Sequence, residues 1–594
     1  MKLLNPKYAI YIVLITALII DISLKNWEKP NRVIEHDVHS YYSYLPALFI
    51  YDDIKLEKDD YRFGDNYYFF WGQPDKNGNK VAKMTCGLSI LYAPFFFIAH
   101  FITLHTDYPP DGFSEPYKLF LLISALFYLF IGLDFTSKIL KLLEFNNKTS
   151  FLTILLLGIG TNLLAYSSQS ATMSHCYSFC LFSGFIYNTI KWHESRSIKR
   201  IIFIGLLFGL ISLVRPSNSL IILFFIFYGI SSINDFKNKL VVYKENFYKL
   251  LLLMPLTLFV WIPQFLYWKK VSGEWIYYSY REEGFYFLDP KILEGLFSFR
   301  KGWLVYTPIM VFALVGIFLL KGKPKLVKSA TIIFIIINVY VVFSWWCWWY
   351  GGTFGQRVLV ESYALLVIPL ASFINWINTK RILYKAFFYI ISLFFIWLNI
   401  FQTYQFEKGS LHWDGMTKEL YFKQFWKFEK IEKFDSMVDK TDYDAAKYRG
   451  KMKNELKEKS KQKNYTVKKV NIIAFNDKYL CLEKNRTIVA DRDIAQEWET
   501  FEFNLYKNNE LSIIGYDADY LSADFGKNGE LTAVRKDKYD WETFIIEYLT
   551  NDTIAIKTSN GKYLTVDSNT LKINAIAEKI GKYEKFKLIK LSND

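Results

Sequence analysis

The chain has 594 residues and a formal net charge of +15, from 72 Lys and Arg against 57 Asp and Glu, and 52% of it is hydrophobic. That average covers two unlike parts, so composition is read by segment. Repeated long apolar runs up to residue 404 exclude a soluble globular enzyme, and a basic excess held in short loops between them argues against nucleic-acid binding.

A hydrocarbon core of about 30 Å takes roughly 20 helical residues to cross. The runs 8–24, 151–165, 250–267, 304–320, 332–346 and 386–401 read as such spans, because a backbone in lipid must satisfy its own hydrogen bonds. The first follows Lys2 and Lys7, has no small-x-small cleavage site, and reads as a retained anchor. The loops 191–200, 234–249, 321–328 and 378–385 are rich in Lys or Arg and are expected on the cytoplasmic side. If 87–102 and 117–132 both crossed, Lys138, Lys141 and Lys148 would lie outside. We therefore expect 87–102 to be embedded or re-entrant, with about eleven crossings and an extracytoplasmic C-terminus. The alternative keeps both as crossings and makes a later short segment re-entrant.

On this topology the outer face collects 25–83, 269–302, 345–357 and everything after 402. Its first loop carries Glu35-His36-Asp37-Val38-His39-Ser40-Tyr41-Tyr42, an acidic cluster that is costly beside lipid unless paired or solvated. Two histidines and one carboxylate in a loop are weak evidence for a metal. Arg215, in Leu213-Val214-Arg215-Pro216-Ser217, stands at a span end, where snorkelling is the plain alternative to a functional role. His175, at another span start, reads as interfacial and hydrogen-bonded. The loop 277–300 holds Arg281-Glu282-Glu283-Gly284 and ends at Arg300-Lys301; it reads chiefly as a connector with internal ion pairs. The turn 345–357, Trp345-Trp346-Cys347-Trp348-Trp349-Tyr350-Gly351-Gly352-Thr353-Phe354-Gly355-Gln356-Arg357, reads as an aromatic belt or a sugar-stacking platform. Five cysteines, Cys86, Cys176, Cys180, Cys347 and Cys481, show neither zinc spacing nor a disulfide framework.

Residues 405–465 read as a charged linker, with 451–463 the most polar part. Beyond it, short alternating strands carry a threefold repeat: Tyr479-Leu480, Tyr520-Leu521 and Tyr563-Leu564 stand about 42 residues apart. Each is followed by an aromatic-Glu-x-Phe group: Trp498-Glu499-Thr500-Phe501, Trp541-Glu542-Thr543-Phe544 and Tyr583-Glu584-Lys585-Phe586. The part 466–594 resembles a β-trefoil of the fascin-like kind, which implies three four-strand units around one shared core. Fold alone does not decide between glycan binding and a structural lid.

Residues 1–404 resemble the GT-C superfamily of polyprenyl-phosphate-sugar-dependent glycosyltransferases, in the protein O-mannosyltransferase and aminoarabinose transferase branch. The likeness rests on architecture, on Asp37 after the first span, on Lys83-Met84-Thr85-Cys86-Gly87 through Pro94-Phe95-Phe96, on Arg215 and on the turn ending at Arg357. It implies a polytopic α-helical membrane bundle in the cytoplasmic membrane, acting on its outer side by inverting transfer from a lipid-phosphate sugar to a glycan, lipid or protein acceptor. Asp37 is the expected general base. The family's adjacent Glu is replaced by Val38, with Glu35 nearby. Arg215 and Arg357 are expected at the phosphate, where a guanidinium offers a planar fork of donors; Glu35, His36, His39 and Tyr350 complete the substrate-binding candidates. Some relatives use a divalent metal and others none, so the metal stays open. Competing readings are a flippase or transporter of a lipid-linked glycan, which calls for ionisable groups deep within spans, and a surface receptor with the spans as its anchor.

Overall fold

The computed structural model describes residues 4–30, 32–56, 62–63, 66–67, 79–281, 283–441, 443–447, 465–483, 485–506, 509–516, 519–524, 529–535, 540–550 and 552–590. They divide into two compact units, Met1–Arg449 and Gly450–Asp594. Much of the loop 25–83, Glu282 and the polar stretch 451–463 lie outside the described residues.

The first unit is helical. It begins with α1 (Pro6–Leu24), α2 (His36–Tyr42), α3 (Tyr44–Phe49), α4 (Gly87–Thr103), α5 (Glu115–Leu142), α6 (Asn147–Ile159), α7 (Ser174–Ser195) and α8 (Ile198–Val214). Among the described residues, five helices are long and apolar enough to cross a membrane: Pro6–Glu28, Glu115–Leu142, Phe247–Ser272, Lys323–Phe343 and Ile382–Glu407. Shorter apolar helices include Gly87–Thr103, Asn147–Ile159, Pro216–Phe227, Met310–Leu319 and Tyr363–Ile377. Two of the apolar runs are thus shorter as helices than as sequence. The run 304–320 is cut after Trp303–Tyr306, at Thr307-Pro308, where proline has no N–H to continue the ladder. The run 151–165 ends its helix at Ile159, capped by Gly160. Along Phe247–Ser272 the residues Leu251, Met254, Phe259, Ile262 and Leu266 stay exposed, an apolar surface suited to hydrocarbon.

The basic loops meet at one end of this unit. Lys249 Nζ donates to the Arg196 carbonyl at 3.1 Å, and Lys323 Nζ lies 3.6 Å from Glu194 and 3.8 Å from Glu144. The loop after α5 therefore shares the end occupied by the loops after α7 and before Lys328. α4 touches the opposite end at both of its own ends. Its Gly87 packs on Leu213-Val214 at the close of α8, while Thr103 Oγ1 lies 3.1 Å from the Tyr117 hydroxyl. The neighbouring Lys118 donates to the Lys29 carbonyl just beyond α1.

The charged stretch after 404 is in part structure rather than tether. Leu411, Met416, Leu420, Tyr421 and Phe434 bury against Ala165, Tyr306 and Phe354, because its hydrophobic residues are numerous enough to cover a helical end. The helical unit accordingly runs on to Arg449.

The second unit is all β. Its strands are β1 (Thr466–Ile473), β2 (Tyr479–Leu482), β3 (Ile488–Arg492), β4 (Thr500–Leu505), β5 (Glu510–Ile514), β6 (Tyr520–Asp524), β7 (Glu530–Arg535), β8 (Phe544–Tyr548), β9 (Thr553–Thr558), β10 (Tyr563–Val566), β11 (Ile573–Ala577) and β12 (Phe586–Lys590). Antiparallel pairing runs β1–β4, β4–β5, β5–β8, β8–β9, β9–β12 and β12–β1, a closed ring without free edges. The hairpins β2–β3, β6–β7 and β10–β11 each carry a register shift after the Tyr of the repeated Tyr-Leu pair. Such a shift turns the following Leu inward. Leu480, Leu521 and Leu564 join Phe501, Phe544 and Phe586 in one buried core. The repeated phenylalanines are therefore packing residues, whereas Trp541 and Tyr583 stand exposed.

Candidate functional site

The site lies at the end of the helical unit opposite the basic loops. α2 starts at His36, which holds a left-handed φ of 49°, so the chain turns sharply after Glu35. Val38, Tyr41 and Tyr42 bury against the unit, and Leu45 of α3 continues their face. Ser40 and Tyr41 fix this helix further: Ser40 Oγ accepts from Met84 N at 3.0 Å, and the Tyr41 carbonyl accepts from Ser89 Oγ. Asp37 is left on the inner rim of α2.

Opposite stands the turn that ends at Arg357. Tyr350, Gly351 and Gly355 all take positive φ, 60°, 68° and 59°, a conformation that suits glycine and strains tyrosine. The turn is pinned from below by Tyr166, whose hydroxyl accepts from Phe354 N at 3.1 Å, and by Asn162, whose amide donates to the Gln356 carbonyl at 3.4 Å. Arg357 Nη2 then reaches Asp37 Oδ2 at 3.0 Å, each side chain 16% exposed. The two leading sequence candidates, from opposite ends of the first 404 residues, thus form one ion pair that a ligand can still reach.

Arg215 caps α8 and enters the same region. Thr85 Oγ1 donates to the Leu213 carbonyl, and a Cβ on Gly87 would stand 2.5 Å from Val214 N. Only glycine lets this loop seat the backbone that carries Arg215. Arg215 Nη1 lies 3.4 Å from Glu361 Oε1, and His175 Nδ1 lies 3.0 Å from the same oxygen. A carboxylate has no proton to give, so Nδ1–H donates to it. Glu361 and His175 are 2% and 1% exposed. Tyr41, Tyr350 and Tyr280 complete the surroundings. The Tyr41 phenol is within electrostatic reach of Arg215, Asp37 and Arg357 together, Tyr350 feels both arginines, and Tyr280 feels Arg215 and Asp37. The Tyr350 hydroxyl itself donates to the Val342 carbonyl at 2.7 Å.

Three buried polar atoms of the segment 356–361 have no hydrogen-bond partner among the described residues: Gln356 Oε1, Arg357 Nε and Glu361 Oε2. Buried polar atoms are almost always satisfied, so their grouping on one short segment marks the region as built for a polar ligand or water. The cavities lined by Phe208, Ile222 and Leu253, and by Asn146, Lys148 and Asn378, lie elsewhere. Charge and unsatisfied atoms, not volume, define this site.

The remaining sequence candidates are not drawn together with it. Glu35 lies 3.9 Å from Arg32, which reaches Glu407 at 3.2 Å. Burial and Glu407 raise its carboxyl pKa, against His36 and Arg32. His36 is exposed. His39 stacks on Phe113 at 6.1 Å, and burial pushes its imidazole down to about 4. Among the described residues, no group of three His, Cys, Asp or Glu stands close enough to hold a metal ion. All five cysteines are buried and unpaired with one another.

The tryptophan run is packed inward rather than laid out as a platform. Trp349 Nε1 donates to Asp414 Oδ1 at 2.7 Å, Trp346 Nε1 to Glu283 Oε2 at 3.1 Å, and Trp345 packs on Tyr280 and Phe285. Lys301 clamps the turn from the far side, donating to the carbonyls of Thr353 and Trp413. Burial pushes its amine down to about 7, against the pull of Asp414.

Sequence reading missed Glu361. Its signal was available: it stands four residues after Arg357 and heads the apolar helix Tyr363–Ile377, where a carboxylate is expensive unless a cation meets it.

No family model and no curated protein matches the chain. Two solved structures each share likeness with about a fifth of it. A designed 3-fold symmetric protein, ThreeFoil, matches with a TM-score of 0.20 and 11% identity over 21% of this chain and 99% of that one. A mosquitocidal holotoxin matches with a TM-score of 0.20 and 11% identity over 22% of this chain and 17% of that one.

Proposed function

We propose that the protein is an integral-membrane inverting glycosyltransferase of GT-C type, moving a sugar from a polyprenyl-phosphate carrier to an extracytoplasmic acceptor. One observation carries the reading: Asp37, after the first span, meets Arg357 at 3.0 Å beside the buried Arg215–Glu361 pair. A transferase of this kind needs a carboxylate and cations side by side at the membrane boundary. In this reading the chain passes between the two ends about eleven times, with α4 lying along the outer end. The basic loops are cytoplasmic. The ring of strands with three hairpins is a β-trefoil on the outer side.

The acceptor hydroxyl attacks the anomeric carbon from the face opposite the phosphate, and its proton passes to Asp37. The bond from that carbon to the phosphate oxygen breaks, and its electron pair leaves on the polyprenyl phosphate. Arg215 and Arg357 are set to receive the charge that develops there. One displacement inverts the anomeric carbon. Ionisable groups favour this reading over a transporter: Arg215 caps α8, His175 opens α7 and Glu361 precedes Tyr363–Ile377. All three meet at the end of the unit opposite the basic loops, whereas a translocation path needs them midway between the two ends.

The test is transfer from a polyprenyl-phosphate sugar in liposomes by the full chain and by Asp37→Asn. Loss of a general base costs about 10²- to 10⁴-fold. Activity retained in Asp37→Asn removes Asp37 from the mechanism.

A further inference from the structure

In the arrangement just described Asp37 and Arg357 occupy one another: the contact at 3.0 Å takes up a carboxylate oxygen that would receive the acceptor's proton and a guanidinium nitrogen that would receive a phosphate. The details of the contact show how both become free. Arg357 meets Asp37 through Nη2, at 3.0 Å, and its buried Nε has no partner among the described residues. The ion pair thus leaves Nε unsatisfied. Arg215, by contrast, is anchored on a carboxylate that is 2% exposed and is itself held by His175. The pair leaves one fixed cation and one whose partner can be exchanged.

We propose that the phosphate of the lipid-linked donor competes with Asp37 for Arg357, so that donor binding itself frees the general base. This rests on the transferase reading above and adds to it an order of events. The phosphate docks on Arg215, takes the guanidinium of Arg357 in a forked contact, and leaves Asp37 as a free carboxylate facing the acceptor hydroxyl. After transfer the product is a phosphate monoester bearing more negative charge than the diester donor, so Arg357 holds it more tightly as charge develops. Asp37 passes the acceptor's proton to water, and release of polyprenyl phosphate returns Arg357 to its carboxylate. Before donor binds, Asp37 is engaged by Arg357, so proton removal from an acceptor waits until the donor is seated.

The consequence is counterintuitive: removing the catalytic carboxylate strengthens phosphate binding. The experiment measures the affinity of a short-chain polyprenyl phosphate for the full-length protein in nanodiscs. It compares wild type, Asp37→Asn, Arg357→Gln and the double variant, with Asp37→Ser as a second carboxylate-free form. Asp37→Asn and Asp37→Ser are expected to bind about tenfold more tightly than wild type, and Arg357→Gln about tenfold more weakly. In the Arg357→Gln background, Asp37→Asn is expected to change nothing, because the competition needs Arg357. Equal or weaker binding by both Asp37 variants, with transfer still lost, overturns the exchange and leaves the transferase reading intact. Absence of polyprenyl phosphate binding in wild type and every variant overturns both.

Discussion

The two units handle charge in opposite ways. In the β unit the ion pairs Lys478 with Asp493 and Lys562 with Glu578 are exposed. Its buried acids Glu499 and Glu584 take backbone N–H groups. Glu499 accepts from Gln496 N at 2.8 Å and Glu584 from Gly581 N at 2.7 Å, in corresponding turns of the repeat. In the helical unit one buried acid, Glu361, meets cations instead, and Arg215, Glu361 and His175 share one cluster at a helix end. Burying ion pairs is rarely the cheapest way to stabilise a fold. An acid that caps a turn is explained by folding; an acid that neutralises an arginine beside unsatisfied polar atoms points to function.

Breaking the buried cluster is expected to have the largest effect on this contrast. Glu361→Ala leaves Arg215 without its partner and should destabilise the helical unit by about 3–5 kcal/mol, read as a fall in its thermal transition in detergent while the β unit's transition stays in place. A transition unchanged in both units means that Arg215 finds water, and that the cluster is less closed than its burial indicates. A smaller effect follows from Gly87→Ala. Its methyl group meets the Leu213-Val214 backbone and must displace it, at about 1–3 kcal/mol, with weaker phosphate binding through Arg215. Normal binding in that variant separates the position of Arg215 from the packing of α4. The smallest effect belongs to the surface of the β unit: Lys478→Ala should change its stability by less than about 1 kcal/mol. A larger loss there erases the distinction between the two kinds of ion pair.

Much of this was legible in the sequence, and the reasons differ by region. The β repeat was visible because each Tyr-Leu sits at the same register shift and each Phe fills the same core, so packing repeats with the residues. Asp37, Arg215 and Arg357 were legible as charges at the ends of apolar runs, where their cost stands out. Glu361 was not, since a single acid next to a span also reads as a boundary marker until its partner, 146 residues away, is known. Span lengths were overestimated where Pro308 and Gly160 end helices inside apolar runs: hydropathy does not register a missing N–H. The stretch after 404 read as linker because its charges outnumber its scattered Leu, Met and Phe residues. Those residues nevertheless suffice to cover Tyr306 and Phe354.

The most direct test is the lipid that the protein carries. Extraction of the purified wild-type chain, followed by mass spectrometry, is expected to show polyprenyl phosphate or its sugar-linked form enriched over bulk phospholipid. That enrichment should vanish in an Arg215→Gln, Arg357→Gln double variant that still folds. Equal lipid profiles for the two proteins, with no isoprenoid phosphate in either, would contradict the assignment of these arginines to a lipid-borne phosphate.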